Sequence, residues 1–275
     1  MQKVSDQQWV APKPFVKWAG SKRRLVPLIR ELMPKQFNVY HEPFVGGGAL
    51  FFNTLPKHAE LSDINAKLIN TYFAIQKDVE AVIKALKPFR YDKAMYLRIR
   101  ERNFAQGSGI QRAAEFIYCN RTCFNGLYRE NSSGQFNVPF GQYTNPIICD
   151  EPNLRAASYA LKGVGLHVEP FEKVLGRAKK GDFVYFDPPY APISDTSDFT
   201  GFSKEGFGDE DQKRLRDVAL ALKARGVAVV VSNSSADIIR KLYGRREFTI
   251  REIKAARAIN SVGDKRGAVT ELLIY

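Results

Sequence analysis

Residues 181–190 read GDFVYFDPPY. Phe183, Val184, Tyr185 and Phe186 form an unbroken apolar and aromatic run, as expected of a central strand covered on both faces. Asp187 ends the run. Pro188 and Pro189 then lack backbone donors and hold the chain in a fixed, extended path. Prolines end many strands with no further consequence. A rigid turn at the carboxyl end of a strand is also where open α/β sheets bind ligands. The fold class therefore depends on whether strands and helices alternate around this run.

They alternate on both sides of it. SKRRLVPLIRELMP (21–34) predicts a helix capped by Ser21, with Leu25, Leu28, Ile29 and Leu32 on one face. NVYHEPFV (38–45) and HAELSDIN (58–65) read as strands, GALFFNTL (48–55) and AKLINTYFAIQ (66–76) as helices. After Leu161 the alternation resumes with GLHVEP as strand, FEKVLGRAK as helix, EDQKRLRDVALALKARG as helix, VAVVVSN as strand and ADIIRKLYG as helix. EFTIREI and AVTELLIY close the chain as an antiparallel pair around the basic loop KAARAINSVGDKRG. The pattern predicts an α/β fold: a Rossmann-like sheet, mostly parallel, with an antiparallel C-terminal strand.

Residues 78–161 break the pattern. DVEAVIKALKPFR, YDKAMYLRIRERNF and IQRAAEFIYCNR are amphipathic helices without an intervening strand. TCFNGLYRENSSGQFNVPFGQY (122–143) follows, rich in turn residues and aromatics, and predicts a β-hairpin. The expected organisation is a catalytic domain of residues 1–77 and 162–275 with an inserted helical domain at 78–161.

The 275 residues carry 42 Lys and Arg against 29 Asp and Glu, a net charge of +13. Such an excess favours a polyanionic partner, nucleic acid above all. Cys119, Cys123 and Cys149 follow no zinc-ligand spacing, and packing is the expected role of the first two. With no apolar run of membrane-spanning length and no signal peptide, a reducing cytoplasmic setting is expected.

Gly46, Gly47 and Gly48 sit at a strand-to-helix turn, where glycine permits positive φ and close approach of a ligand. The spacing matches neither a dinucleotide nor a triphosphate loop. Asp63, at the end of the next strand, can accept from both hydroxyls of a ribose, although Asp63 or Asn65 can equally cap the following helix. Upstream, FVKWAGSK sets Trp18 and Lys22 four residues apart at a helix start, suited to an aromatic base or sulfonium and to a carboxylate. Together these pieces describe S-adenosylmethionine.

The ordered stretches KWAGSK, EPFVGGGALFF, LSDIN, NRTCFNGLYREN with GQFNVPFG, DFVYFDPPY and FTGFSKEGF make the chain, from Phe15 to Tyr275, resemble the DNA adenine methyltransferases of the Dam type. The resemblance implies transfer of a methyl group from S-adenosylmethionine to the exocyclic amino group of adenine in double-stranded DNA, without a metal. It implies that Trp18, Lys22, Phe44, Gly46, Gly48, Asp63 and Asp187 hold the cofactor, and that Asp187, Pro188, Pro189 and Tyr190 form the catalytic tetrad. Phe124 and Asn125 would enter the duplex, and Arg129 would grip guanine with a bidentate fork. Leu127, Pro139 and Tyr143 would touch bases or thymine methyls. GATC is the expected target, reached by base flipping, and a monomer is expected in solution. A lid that orders over the extruded base is predicted at 191–211, a segment carrying Phe199, Phe202 and Phe207. Arg245, Arg246, Arg251, Lys254, Arg257, Lys265 and Arg266 are expected to add phosphate contacts.

Two alternatives compete with this reading. Methylases of cytosine, RNA or glutamine share the acceptor-Pro-Pro-aromatic turn, and the 122–143 block discriminates against them. A DNA-binding protein that has lost catalysis is opposed by the intact tetrad, glycine loop and Asp63.

Overall fold

The computed structural model describes residues 10–20, 22, 24–193, 206–244, 246–255 and 269–275. Among them the chain runs α1 (Val26–Leu32), β1 (Tyr40–Glu42), α2 (Ala49–Thr54), β2 (Ala59–Asp63), α3 (Ala66–Leu86), α4 (Lys93–Glu101), α5 (Gly109–Thr122), α6 (Glu151–Ala160), β3 (Gly165–Val168), α7 (Val174–Arg177), β4 (Phe183–Phe186), α8 (Asp209–Ala224), β5 (Ala228–Ser234), α9 (Asp237–Tyr243), β6 (Ile250–Ala255) and β7 (Val269–Ile274). The strands form one sheet in the order β3-β2-β1-β4-β5-β7-β6. Among the described strands β7 runs antiparallel to both its neighbours, β5 and β6, and every other pair is parallel. This is the mostly parallel, Rossmann-like sheet that the alternation predicts.

Strand β4 shows how the sheet is buried. Phe183 and Tyr185 enter one apolar cluster, and Val184 and Phe186 enter the other, because successive side chains point to opposite faces. All four are essentially inaccessible to water, and each contributes about 1.5–3 kcal/mol of apolar burial. The first cluster contains α3, α4 and α5 residues such as Tyr72, Tyr96 and Phe116, so the helical block shares a core with that face of the sheet.

Three local expectations change. The first helix begins at Val26 with Leu25 as an N-cap that makes no side-chain bond, because Pro27 is tolerated only in a first turn; Ser21 lies outside the described residues. Trp18 and Lys22 therefore precede the helix instead of starting it. The helices expected on either side of residue 77 are one element, α3, interrupted by a single non-helical residue, Asp78 (φ −154°, ψ 77°). The expected hairpin is reduced to two isolated antiparallel bridges, Cys123 with Phe140 and Glu130 with Phe136. Between them the Asn137 N–H still reaches the Arg129 carbonyl at 3.0 Å, but Phe124–Gly126 closes a tight turn on itself and Pro139 has no N–H to donate, so the pairing is interrupted. Helix α6, capped by the Asp150 side chain, was not anticipated.

Candidate active site

Parallel strands β1 and β4 are neighbours at the point where chain order reverses, with Tyr40 opposite Phe183 and His41 opposite Val184. The crevice outside their carboxyl ends is where such sheets bind ligands. Four carboxylates come to this edge: Glu42 at the end of β1, Asp63 at the end of β2, Asp187 after β4, and Glu271 in β7, paired with Ser234 of β5.

Asp187 is held through one oxygen. Lys22 Nζ lies 3.0 Å from Oδ1, and Ser232 Oγ donates to the same atom at 2.7 Å. Because Ser232 has one proton, Tyr185, 3.0 Å from Ser232 Oγ, must be the donor in their contact. Among the described residues neither Asp187 Oδ2 nor the Pro188 carbonyl accepts a hydrogen bond. Tyr190 packs its ring under the Lys22 ammonium at 4.3 Å and donates its hydroxyl to Glu271 Oε2 at 2.9 Å. Burial pushes the Tyr190 phenol well above its ordinary pKa, and the Asp187 charge adds to this.

The glycine loop is fastened to Asp63. Gly46 N–H donates to Asp63 Oδ2 at 3.1 Å and Asn65 N–H to Oδ1 at 2.9 Å. Burial raises the Asp63 carboxyl to about 6 against the pull of these amides. The cap of α3 is Asn65, whose side chain accepts from Leu68 N–H at 3.0 Å, so Asp63 is left to hold the loop. Gly46 (φ 46°) and Gly48 (φ 68°) are left-handed, and a Cβ at Gly46 would lie 2.6 Å from Trp18 Cδ1. Trp18 thus lies against the loop, with its ring stacked on Tyr128 at 5.3 Å. Phe44 stacks on Phe171 at 5.4 Å and meets Phe186 and Phe207 edge-on.

All six expected DNA residues fall on the 122–143 loop. Phe124 is exposed (49%), Asn125 has left-handed φ of 53°, and Phe124 N–H donates to the Pro139 carbonyl at 2.8 Å. Leu127 N–H closes the turn onto the Phe124 carbonyl at 3.2 Å. Tyr143 O–H donates to the Cys123 carbonyl at 2.8 Å, and Lys17 Nζ lies 4.1 Å from the Tyr143 ring centre. Arg129 Nε donates to Asn137 Oδ1 at 2.9 Å across the loop. The segment from Lys17 to Lys22 therefore spans the site: Lys17 meets Tyr143, Trp18 meets Tyr128 and Gly46, and Lys22 meets Asp187 and Tyr190. Asn120 clips this segment to the loop by accepting from Lys17 N–H at 2.7 Å and donating to the Lys17 and Gly126 carbonyls at 2.8 and 3.3 Å.

Several site groups escaped the sequence reading. Glu42 is buried and accepts from Tyr40 O–H at 2.8 Å; burial, reinforced by the Asp187 charge, pushes its carboxyl up to about 8. An acid inside the buried HEPF strand was the available signal. Ser232, Asn233 and Ser234 form the polar tail of β5, and only the strand order shows that this tail abuts the tetrad. Ile64 and Val168 are bare apolar side chains (69% and 53% exposed) flanking Asp63, which is paired with Val168 in register. Phe199, Phe202, Arg245, Arg257, Lys265 and Arg266 lie outside the described residues.

A nucleoside with a methionine tail fits the groups present. Ile64 and Val168 offer apolar walls to a purine, Asp63 retains lone pairs for ribose hydroxyls, and Lys22 offers a cation to a carboxylate. Among the described residues no group of three His, Cys, Asp or Glu side chains is arranged to hold a metal. No helix among them is long and apolar enough to cross a membrane.

The chain is similar to known DNA methyltransferases over nearly its whole length. Residues 18–259 match the family model of D12 class N6 adenine-specific DNA methyltransferases. A Type II methyltransferase, M1.LlaDCHI of Lactococcus lactis subsp. cremoris, is 43% identical over 95% of this chain and 94% of its own length. The Type II methyltransferase M.MjaIII of Methanocaldococcus jannaschii is 41% identical over 95% of this chain and 98% of its own. A DNA adenine methylase of Haemophilus influenzae is 36% identical over 95% and 92%. With the acceptor-Pro-Pro-Tyr turn set beside a glycine loop at the switch point of this sheet, the chain belongs to the D12 class N6 adenine-specific DNA methyltransferases.

Proposed function

We propose that the protein methylates the exocyclic amino group of adenine within GATC in double-stranded DNA, on a base turned out of the helix, with S-adenosylmethionine as donor. The observation that carries this reading is the pair of acceptors, Asp187 Oδ2 and the Pro188 carbonyl, that no described residue engages, beside the Tyr190 ring. The amino lone pair of adenine is delocalised into its ring. Two acceptors aimed at the two amino hydrogens localise that pair as the nitrogen becomes tetrahedral. Fixing both by Pro188 and Pro189 leaves little reorganisation when charge develops. A neutral arylamine is too weak an acid to yield its proton first, so Asp187 positions and stabilises, and the proton leaves after transfer. The cofactor, when bound, supplies an electrophilic methyl group on a sulfonium.

A stacked adenine cannot reach this turn. Extrusion costs roughly a few kcal/mol, and the Tyr190 ring offsets part of it by stacking. Residues 78–161 serve as the recognition unit. Phe124 and Asn125 fill the vacated stack, Arg129 reads guanine, and Leu127, Pro139 and Tyr143 line the base edges. Trp18, Lys22, Phe44, Gly46, Gly48 and Asp63 hold the cofactor. A single adenine is handled by a single site, so the acting species is a monomer.

Tritiated methyl transfer to duplexes carrying GATC, or GATC with one base changed, tests the target. Equal labelling of all duplexes removes the GATC assignment and leaves the enzyme class standing. Asp187→Ala should bind DNA and abolish transfer, and near-normal turnover in that variant overturns the mechanism.

A further inference from the structure

The backbone on both sides of Tyr190 is tied to one buried ring of hydrogen bonds. Gln212, in the first turn of α8, donates from Nε2 to the Pro189 carbonyl at 3.0 Å. Its Oε1 accepts from Asn233 Nδ2 at 2.9 Å. Asn233 Oδ1 accepts from Ala191 N–H at 3.2 Å and from Ser234 N–H at 2.8 Å. Ser234 Oγ donates to the Ala191 carbonyl at 2.6 Å. Gln212 and Asn233 are both inaccessible to solvent.

The polarity of this ring is determined throughout. Two backbone N–H groups converge on one end of the Asn233 amide, so that end is the oxygen. Nδ2 must then donate to Gln212, which must accept through Oε1 and present Nε2 to Pro189. No flipped amide satisfies every partner. Both residues are buried and uncharged, and neither touches the acceptors that face the target amino group. They therefore act only through the turn.

We propose that Gln212 and Asn233 are positioning residues for methyl transfer, together setting the Pro189–Tyr190–Ala191 backbone so that the Tyr190 ring and the adjoining Pro188 carbonyl meet the extruded base in register. This rests on the proposed function of the tetrad. It adds that the reactive geometry is imposed from α8 and β5, and not by the prolines alone. Pro188 and Pro189 restrict φ but leave ψ to be set by what the carbonyls bind. The Pro189 carbonyl binds Gln212.

Gln212→Glu and Gln212→Leu test the assignment with the full-length protein and a duplex substrate. In Gln212→Leu no donor faces Pro189 at any pH, and kcat falls about tenfold to a hundredfold, as expected for sub-ångström to ångström misplacement of reacting groups. Duplex Kd and the KM for S-adenosylmethionine stay within about threefold, because the contacts that bind them are elsewhere. In Gln212→Glu the protonated carboxyl donates to Pro189 and accepts from Asn233, whereas the ionised form still accepts from Asn233 but has no proton to donate and sets a charge against the Pro189 carbonyl. Its kcat deficit relative to the parent is therefore small near pH 6 and widens toward roughly pH 9, following a buried carboxyl. A merely structural role gives no such pH profile. Folded Gln212→Leu with parental kcat, or a Gln212→Glu deficit independent of pH, overturns the proposal. If Gln212→Leu fails to fold, the Gln212→Glu profile decides alone. Asp187→Ala run in parallel separates the outcomes: an active Asp187→Ala sinks the tetrad reading, whereas an inactive one beside an unaffected Gln212 series sinks only the positioning role.

Discussion

The Tyr190 hydroxyl donates to Glu271 Oε2 at 2.9 Å, pinning the turn after β4 to β7 across the intervening β5. The phenol thus anchors the tip of the ring while its face stays with the site. Tyr190→Phe keeps the face and loses the anchor, and single-turnover methyl transfer should fall less than about tenfold, in keeping with one lost hydrogen bond. Tyr190→Ala removes a stacking face worth about 1–3 kcal/mol per base and should cost more. Equal losses in the two variants would show that the ring face is not the working part.

Gly46 and Gly163 provide a matched pair. Both have positive φ (46° and 76°), but a Cβ at Gly46 strikes Trp18, whereas one at Gly163 meets nothing within 4 Å. Gly163→Ala should lose only the backbone strain of about 1–3 kcal/mol. Gly46→Ala should lose more stability and, by displacing Trp18 and the loop, weaken binding of S-adenosylmethionine. Thermal melts with and without cofactor measure both effects. Identical behaviour of the two variants would contradict the packing described.

Glu42 predicts a pH dependence with a definite sign. Its carboxyl is raised to about 8, chiefly by burial, so the folded chain holds that proton more tightly than the unfolded chain. The stabilisation is complete below the unfolded pKa and is lost as pH rises through about 8. Asp63, raised to about 6, acts in the same direction at lower pH. Glu42→Gln has no proton to lose. Its melting temperature should match the parent near pH 5 and exceed it by about 3 °C or more near pH 9. Parallel stability curves across that range would place the titration elsewhere.

Arg129 is exposed and bonded to Asn137 across the 122–143 loop. If it reads guanine, Arg129→Ala should cost about 1–3 kcal/mol on the cognate duplex and relax discrimination at one base pair. Binding measured against salt gives the contrast. A uniform loss on all sequences, with the salt slope shallower by about one, would make Arg129 a phosphate contact.

What the amino-acid sequence determined by itself is local: the alternation of strands and helices, the buried run ending at Asp187, the glycine turn, and the change of pattern at residues 78–161. Apolar period and turn chemistry act over a few residues, so they can be read without a partner. The choice between Asp63 and Asn65 as the cap of α3 was open, because both carboxylate and amide suit that position. The structure gives the cap to Asn65 and the glycine loop to Asp63. The hairpin expected from turn residues is only a pair of bridges, since the tight turn at Phe124–Gly126 and the missing N–H of Pro139 interrupt the pairing between them. Tertiary structure alone decided what holds the tetrad. Ser232, Asn233 and Glu271 reach it because β4, β5 and β7 pair in one register, and Gln212 because α8 packs over their ends. Those distances are set by strands far apart in the chain, and no local pattern encodes them.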